Sequence, residues 1–341
     1  MKILAIIDKF KGTMSSKSLG KITKDLLNAK NHHVDYYCVS DGGDGFLDSI
    51  NQNKKLKRKY VYVLDALLRK RKVCYLMDNE KVYIEVAKII GKNKNNKLDI
   101  YNATTYGVGQ VILHALKNNG KEFYIGLGGS ITNDGGKGML EALGFKFIDN
   151  KIIDNMKINL NDIKFNIISD VTSPLLGFNG ATYMFSKQKG AKESDLVILE
   201  NKMENYSKLI TSYVNEDYTK HPGSGAAGGL GFAFLSILKA NYIKGINFVL
   251  DYLNIDNIID EYDLIITGEG KVDDQSLNGK IVFEIINRYK KETIIVCAIN
   301  ECLGTNHKIY SIVDSIASKE ESMKHTKKHF KKLIKSIKIG S

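Results

Sequence analysis

The chain of 341 residues contains no tryptophan, two prolines, four cysteines and only four arginines, Arg58, Arg69, Arg71 and Arg288. Scarce proline beside 43% hydrophobic residues excludes a collagen-like repeat and a disordered chain. Cys38, Cys74 and Cys297 lie in apolar runs, where a thiol acts as a small hydrophobe, and Cys302 has no paired partner spacing. That excludes a disulfide scaffold, argues against a zinc site and suits a reducing compartment. No apolar run approaches the roughly 18–20 residues that cross a bilayer. The amino terminus, Met1 to Ile7, is interrupted by Asp8 and reads as a buried first strand rather than a signal peptide. The expectation is a soluble, cytoplasmic protein with no membrane partner.

What the chain has in excess is lysine, which carries the net charge of +12. The runs 53–59 and 92–97 read as solvated loops. Lys324 to Lys338 is basic, with Phe330, Leu333, Ile334 and Ile337 at the spacing of an amphipathic helix. No aromatic residues interleave with these charges as in a nucleic-acid platform, which argues against a nucleic-acid partner.

Short apolar runs alternate with helical stripes. Candidate strands are Ile3–Ile7, Val34–Val39, Phe123–Leu127, Phe165–Ser169, Thr182–Phe185, Leu264–Thr267 and Thr293–Ala298. Val108, Val111, Ile112, Ala115 and Leu116 share one helical face. So do Leu19, Ile22 and Leu26 behind the cap candidates Ser15 and Ser16, and Ile281 to Tyr289 form a third stripe. The alternation predicts an α/β fold with a mainly parallel sheet. Tyr60–Val86 differs, with short strands and charged turns, and predicts an antiparallel excursion.

In such folds ligands sit at the carboxyl ends of strands. Five strand ends here carry glycine, acid or both: Asp8 to Gly12, Ser40 to Gly45, Gly128 to Gly138, Asp170 to Thr172 and Gly268 to Asp274. The Gly128–Gly138 run suits an anion cradled by backbone amides, with Ser130 or Thr132 adding a hydroxyl. It matches neither the Walker pattern nor G-x-G-x-x-G. The second small-residue run, Gly223 to Gly231, suits close helix packing as well as phosphate binding. Asp41 and Asp44 are candidate metal ligands or helix caps, and Glu269 and Asp273 could hold Mg²⁺ through water. Asp170 ends an apolar strand, where burial could tune it as a base, and Lys189 is a candidate counter-charge for phosphate. Acids, glycine loops and a lysine together describe Mg-nucleotide phosphoryl transfer.

Eight motifs occur in order along the chain: 8–13, 40–45, 103–107, 126–136, 169–175, 188–191, 222–231 and 267–276. As a set they closely resemble the type I (bacterial) glycerate kinase family. The resemblance implies phosphorylation of D-glycerate by ATP, with Mg²⁺ and with 2-phosphoglycerate as the usual product. It also implies two α/β domains around a central cleft, one Rossmann-like and split by insertion of the other. The expected division is 1–75 with 255–341, and 76–254.

Carried residue by residue, the motifs name Asp170, Asp134, Lys189 and Asp273 as catalytic candidates and Asp41, Asp44 and Glu269 as metal ligands. Binding candidates are Asp8, Lys11, Gly42, Gly43, Gly128, Gly129, Ser130 and Asn133. Gly135, Gly136, Gln188, Gly225, Gly268, Gly270 and Lys271 complete them. The chain departs from the family's pattern at Ser173, Lys187 and Lys271, where Asn, Pro and Arg are usual. The alternatives are a kinase for another small hydroxy acid or a non-catalytic binder of anions or nucleic acid; a homo-oligomer is left open.

Overall fold

The computed structural model describes residues 1–92, 98–156, 159–273, 281–302 and 306–339. The chain forms two compact units, one of Met1–Ser40, Asp48–Lys54 and Ile246–Ser341, the other of Asp41–Leu47 and Lys55–Gly245. The strands are β1 (Lys2–Ile7), β2 (His33–Tyr36), β3 (Lys57–Leu64), β4 (Lys70–Asp78), β5 (Lys81–Glu85), β6 (Glu122–Gly126) and β7 (Phe145–Ile148). They continue with β8 (Lys151–Asp154), β9 (Lys164–Ile168), β10 (Asn241–Ile243), β11 (Leu264–Asp273), β12 (Thr293–Glu301) and β13 (Lys308–Ser311).

The smaller unit holds a five-stranded sheet in the order β13-β12-β11-β1-β2, parallel throughout. Its inner strands are apolar on both faces because helices cover both sides, as parallel sheets require; Ile3 to Ile7 are all buried. The helix Ser16–Asn28 starts where Ser15 accepts from the Ser18 amide. Ser16 Oγ then donates to the Ile7 carbonyl at 2.6 Å, tying the helix start to the end of β1. The apolar stripe of the carboxyl-terminal helix is absorbed by this unit's own core, with Phe330, Leu333 and Ile334 fully buried, so its lysines face solvent. The helix expected within Lys324 to Lys338 is Thr326–Ser336, and a separate short helix, Lys319–Lys324, precedes it.

The larger unit holds a six-stranded sheet, β10-β9-β6-β5-β4-β3, and the hairpin β7-β8. β10, β9, β6 and β5 run parallel, while β3 and β4 are the antiparallel excursion. Its turn is set by Asp65, which accepts from the Leu67 and Arg69 amides at 2.9 and 3.0 Å and pairs with the Arg69 guanidinium. Because β4 pairs with β5, residues 55–75 belong to this unit, and the boundary expected at 75 falls near 54.

Two strand expectations change. Thr182–Phe185 lies in a short helix, Ala181–Phe185, which Gly180 starts and which closes with Ser186 N donating to the Thr182 carbonyl. The run has β-branched and aromatic character, but such propensity yields to tertiary context. β11 extends six residues beyond Thr267 because β12 matches it to the pair Asp273–Glu301. Glu269, Lys271 and Asp273 are therefore alternate residues of a strand, on one face, and not members of a loop. Among the described residues no helix is long and apolar enough to cross a membrane.

Candidate active site

In the larger unit the loops leaving β6 and β9 lie against the segment 41–47. Gly42 fits because a Cβ there would stand 2.1 Å from the Ile168 carbonyl oxygen, and Gly43 and Gly128 meet backbone to backbone, 2.5 Å from a Cβ on Gly128. Asp41 Oδ1 accepts from the Gly43 amide at 3.0 Å, an Asx turn in the loop ahead of the helix Phe46–Ile50. Asp44 is exposed, its carboxylate beside the Gly129 turn. A carboxylate that the motif reading passed over, Glu85 at the end of β5, accepts from the Gly45 and Leu47 amides at 3.3 and 3.0 Å. Burial pushes its pKa up, against the Lys88 ammonium at 3.3 Å. The rule applied to the other strand ends would have found Glu85 had β5 been read as parallel.

The Gly128–Gly138 run divides into two halves. In the second, every amide is taken: Gly135 N by the Gly228 carbonyl, Gly136 N and Gly138 N by the Asp134 carboxylate at 3.1 and 3.2 Å, and Lys137 N by the Asp134 carbonyl. Asp134 also accepts from Thr105 N and Thr105 Oγ1 at 2.8 and 2.9 Å, and Thr105 Oγ1 in turn accepts from Met139 N. Asp134 thus holds the start of the helix Lys137–Leu143 onto the 103–107 motif. In the first half, among the described residues, no hydrogen bond takes the Gly128 and Gly129 amides. Ser130 Oγ and Asn133 Oδ1 are buried without a partner.

Lys189 sits below this loop. It is buried, and its Nζ donates to the Thr132 carbonyl at 2.8 Å. Desolvation lowers its pKa to about 8, with Asp134 pulling the other way. A buried ammonium with one acceptor keeps two donors for an anion. The neighbouring Gln188 is exposed.

Asp170, half-buried after β9, accepts from the Gly245 amide at 2.8 Å. Burial of the Tyr242 phenol, with the Asp170 charge adding to it, pushes that phenol up to about 12. Gly225 lacks room for a side chain because the Pro174 carbonyl oxygen is 2.4 Å from where its Cβ would be, so the 223–231 run is occupied by packing.

The remaining candidates belong to the smaller unit. Asp8 N donates to the Gly268 carbonyl at 2.8 Å, and Gly270 faces the Phe10–Lys11 backbone, so the ends of β1 and β11 meet. Lys11 is exposed. Lys271 Nζ pairs with Asp273 at 3.5 Å and with Glu301 at 2.7 Å. Residues 274–280, which complete the last motif, lie outside the described residues. Among the described residues no group of three or more His, Cys, Asp or Glu side chains is gathered to hold a metal, and Asp41, Asp44 and Glu269 are divided between the two units.

Comparison with known proteins first places the chain among kinases. A model described as the glycerate kinase family matches residues 3–339, and the chain belongs to that family. It is 33% identical to a glycerate kinase of Bacillus cereus, over 99% of this chain and 97% of that one. It is 31% identical to the glycerate 2-kinase of Escherichia coli K12, over 95% and 93%. The crystal structure of a protein assigned as glycerate kinase 2 from Salmonella typhimurium LT2 superposes with a TM-score of 0.73 at 26% identity, covering 98% of this chain and 96% of that one.

Proposed function

We propose that this kinase transfers the γ-phosphoryl group of ATP to a hydroxyl of D-glycerate, with 2-phosphoglycerate as product. The observation that carries the reading is Lys189, a buried ammonium whose one hydrogen bond among the described residues is to the glycine loop. Such a cation is costly unless an anion joins it, and phosphate is the anion that family membership supplies.

In this reading the phosphate chain meets the Gly128 and Gly129 amides and the Ser130 hydroxyl, which have no hydrogen-bond partner among the described residues, whereas the amides of Gly135 to Gly138 are taken. Asp134 positions the loop and touches no reacting atom. Asp170, oriented by the Gly245 amide, takes the proton of the attacking hydroxyl as the new P–O bond forms and ADP leaves. Mg²⁺, when bound, neutralises charge on the phosphates. It needs few protein ligands beside phosphate oxygens and water, and the exposed Asp44 beside Gly129 suits it, with Asp41 behind.

The test is incubation with ATP, Mg²⁺ and D-glycerate. ADP and 2-phosphoglycerate should appear together, with ³¹P NMR locating the phosphate. Equal ATP consumption without glycerate, or a preference for another hydroxy acid, overturns the substrate assignment. In the same assay Asp170→Asn should lower kcat at least ~100-fold with ATP binding preserved. A near-normal kcat would move the role of base elsewhere.

A further inference from the structure

The larger unit contains a cavity of about 600 Å³ that none of the steps above uses. It lies behind the Asn133–Asp134 corner of the glycine loop and is walled by the long helix Glu193–Val214. We propose that it is the nucleoside subsite of this kinase, holding the base and ribose of the phosphoryl donor. The proposal rests on the kinase reading and adds a location for one substrate.

Three observations carry it. First, size: ligand pockets of roughly 300–1,000 Å³ suit nucleoside-sized molecules, and a three-carbon acid would leave most of this space to water. Of the two substrates in the reading, only the nucleotide fills it. Second, the lining combines aromatic rings with isolated polar atoms. Tyr101, Phe147 and Tyr206 present ring faces or edges, and Lys202 and Lys137 stand over the Tyr101 and Phe147 rings at 5.1 and 5.3 Å. That is a wall on which a base stacks, with cations beside it for the phosphates.

Third, two polar atoms of the lining residues are buried with no partner in the protein: the Tyr206 hydroxyl and Asn133 Oδ1. Leaving such groups unsatisfied costs about 1–3 kcal/mol each, so a small shift of the wall that brings them to a ligand is repaid by the bonds it forms. Desolvation holds the Tyr206 phenol well above its ordinary pKa, so it stays protonated and donates. Asn133 Oδ1 accepts, since its Nδ2 already donates to Thr182 Oγ1 at 3.3 Å. Between them the two residues offer one donor and one acceptor, which the ring nitrogens and amino group of a purine can use. The glycine loop is built around this wall: a Cβ on Gly135 would stand 2.6 Å from the Tyr206 ring.

The test measures ADP and inorganic pyrophosphate binding to the full chain by calorimetry, for the wild type, Tyr206→Phe and Tyr101→Ala. Tyr206→Phe removes an oxygen without a protein partner, and Tyr101 is 43% exposed, so both should fold. ADP affinity should fall about 3- to 10-fold in each. Pyrophosphate affinity should not move. The KM for ATP should rise by the same factor, with kcat and the KM for glycerate within twofold. Unchanged ADP affinity in both variants, or equal losses for ADP and pyrophosphate, overturns the subsite. A chain that shows the expected ADP pattern but phosphorylates no glycerate keeps the subsite and sinks the glycerate assignment. Turnover of glycerate with the KM for ATP unmoved does the reverse.

Discussion

The two glycine-rich runs, 128–138 and 223–231, look alike in sequence and do different work. In the second, glycines are present because protein backbone fills the space: the Pro174 carbonyl beside Gly225, the Thr132 carbonyl beside Gly228 and the Gly223 carbonyl beside Gly231, each within 2.4 Å of an added Cβ. The first is filled from Gly135 onward by side chains, those of Tyr206, Ala233 and Thr104, while the amides of Gly128 and Gly129 and the Ser130 hydroxyl have no hydrogen-bond partner among the described residues. Glycine density thus reports close backbone approach, and only the hydrogen-bond inventory says whether the approaching group is the protein itself. The two runs pack on each other: Gly135 N donates to the Gly228 carbonyl, and the Thr132 carbonyl oxygen, which accepts from Lys189, presses on Gly228.

Gly228→Ala should have the largest effect. Its φ of +70° and a Cβ 1.9 Å from that oxygen should together cost about 3–5 kcal/mol in urea unfolding. A loss below about 1 kcal/mol would mean the second run is not a packing device.

Lys189→Met comes next and is read against pH. The folded-state pKa of Lys189 is lowered to about 8 from 10.5, so the unfolded chain binds its proton more tightly between those values. Wild-type stability should therefore rise with pH across that window, by up to about 3 kcal/mol, and the methionine variant should lack this rise. Identical slopes would show that the amine is solvated.

Gly129→Val should cost less stability, about 1–3 kcal/mol: its φ of +69° adds strain, but only side chains, the Ala87 methyl at 2.9 Å and the Asp44 carboxylate at 3.3 Å, stand against its Cβ. In the molecules that remain folded, nucleotide affinity should fall at least ~10-fold in calorimetry, because the side chain stands over the open amides. Retained affinity would reduce the first run to packing as well.

Much of the fold was legible from apolar runs. β1, β6, β9 and β12 fall within a few residues of expectation, because strands buried on both faces are continuous apolar segments bounded by glycine or charge. What was not legible depended on partners distant in sequence. The length of β11 is set by β12, and the helix at 181–185 by its place beside the 223–231 run, where the Ala181 amide meets Gly225. At the site, the strand-end rule brought Asp41, Asp134 and Asp170 into view, but nothing local distinguishes a carboxylate that caps amides from one open to substrate. Tyr206 was invisible for the opposite reason: mid-helix, it resembles any core aromatic until its hydroxyl is found without a partner.

The placement of β1 has a consequence for how the molecule is made. This strand, apolar on both faces, lies between β2 and β11, and β11 begins only at Leu264. At ~5–20 residues per second, a ribosome leaves β1 without that neighbour for roughly 13–50 s. Meanwhile residues 55–245 can emerge and fold as a unit of their own. The first forty residues therefore wait as a sticky, unpaired edge, a natural client for a holding chaperone, and chains cut short before Leu264 should aggregate through their amino termini rather than through the better-covered middle.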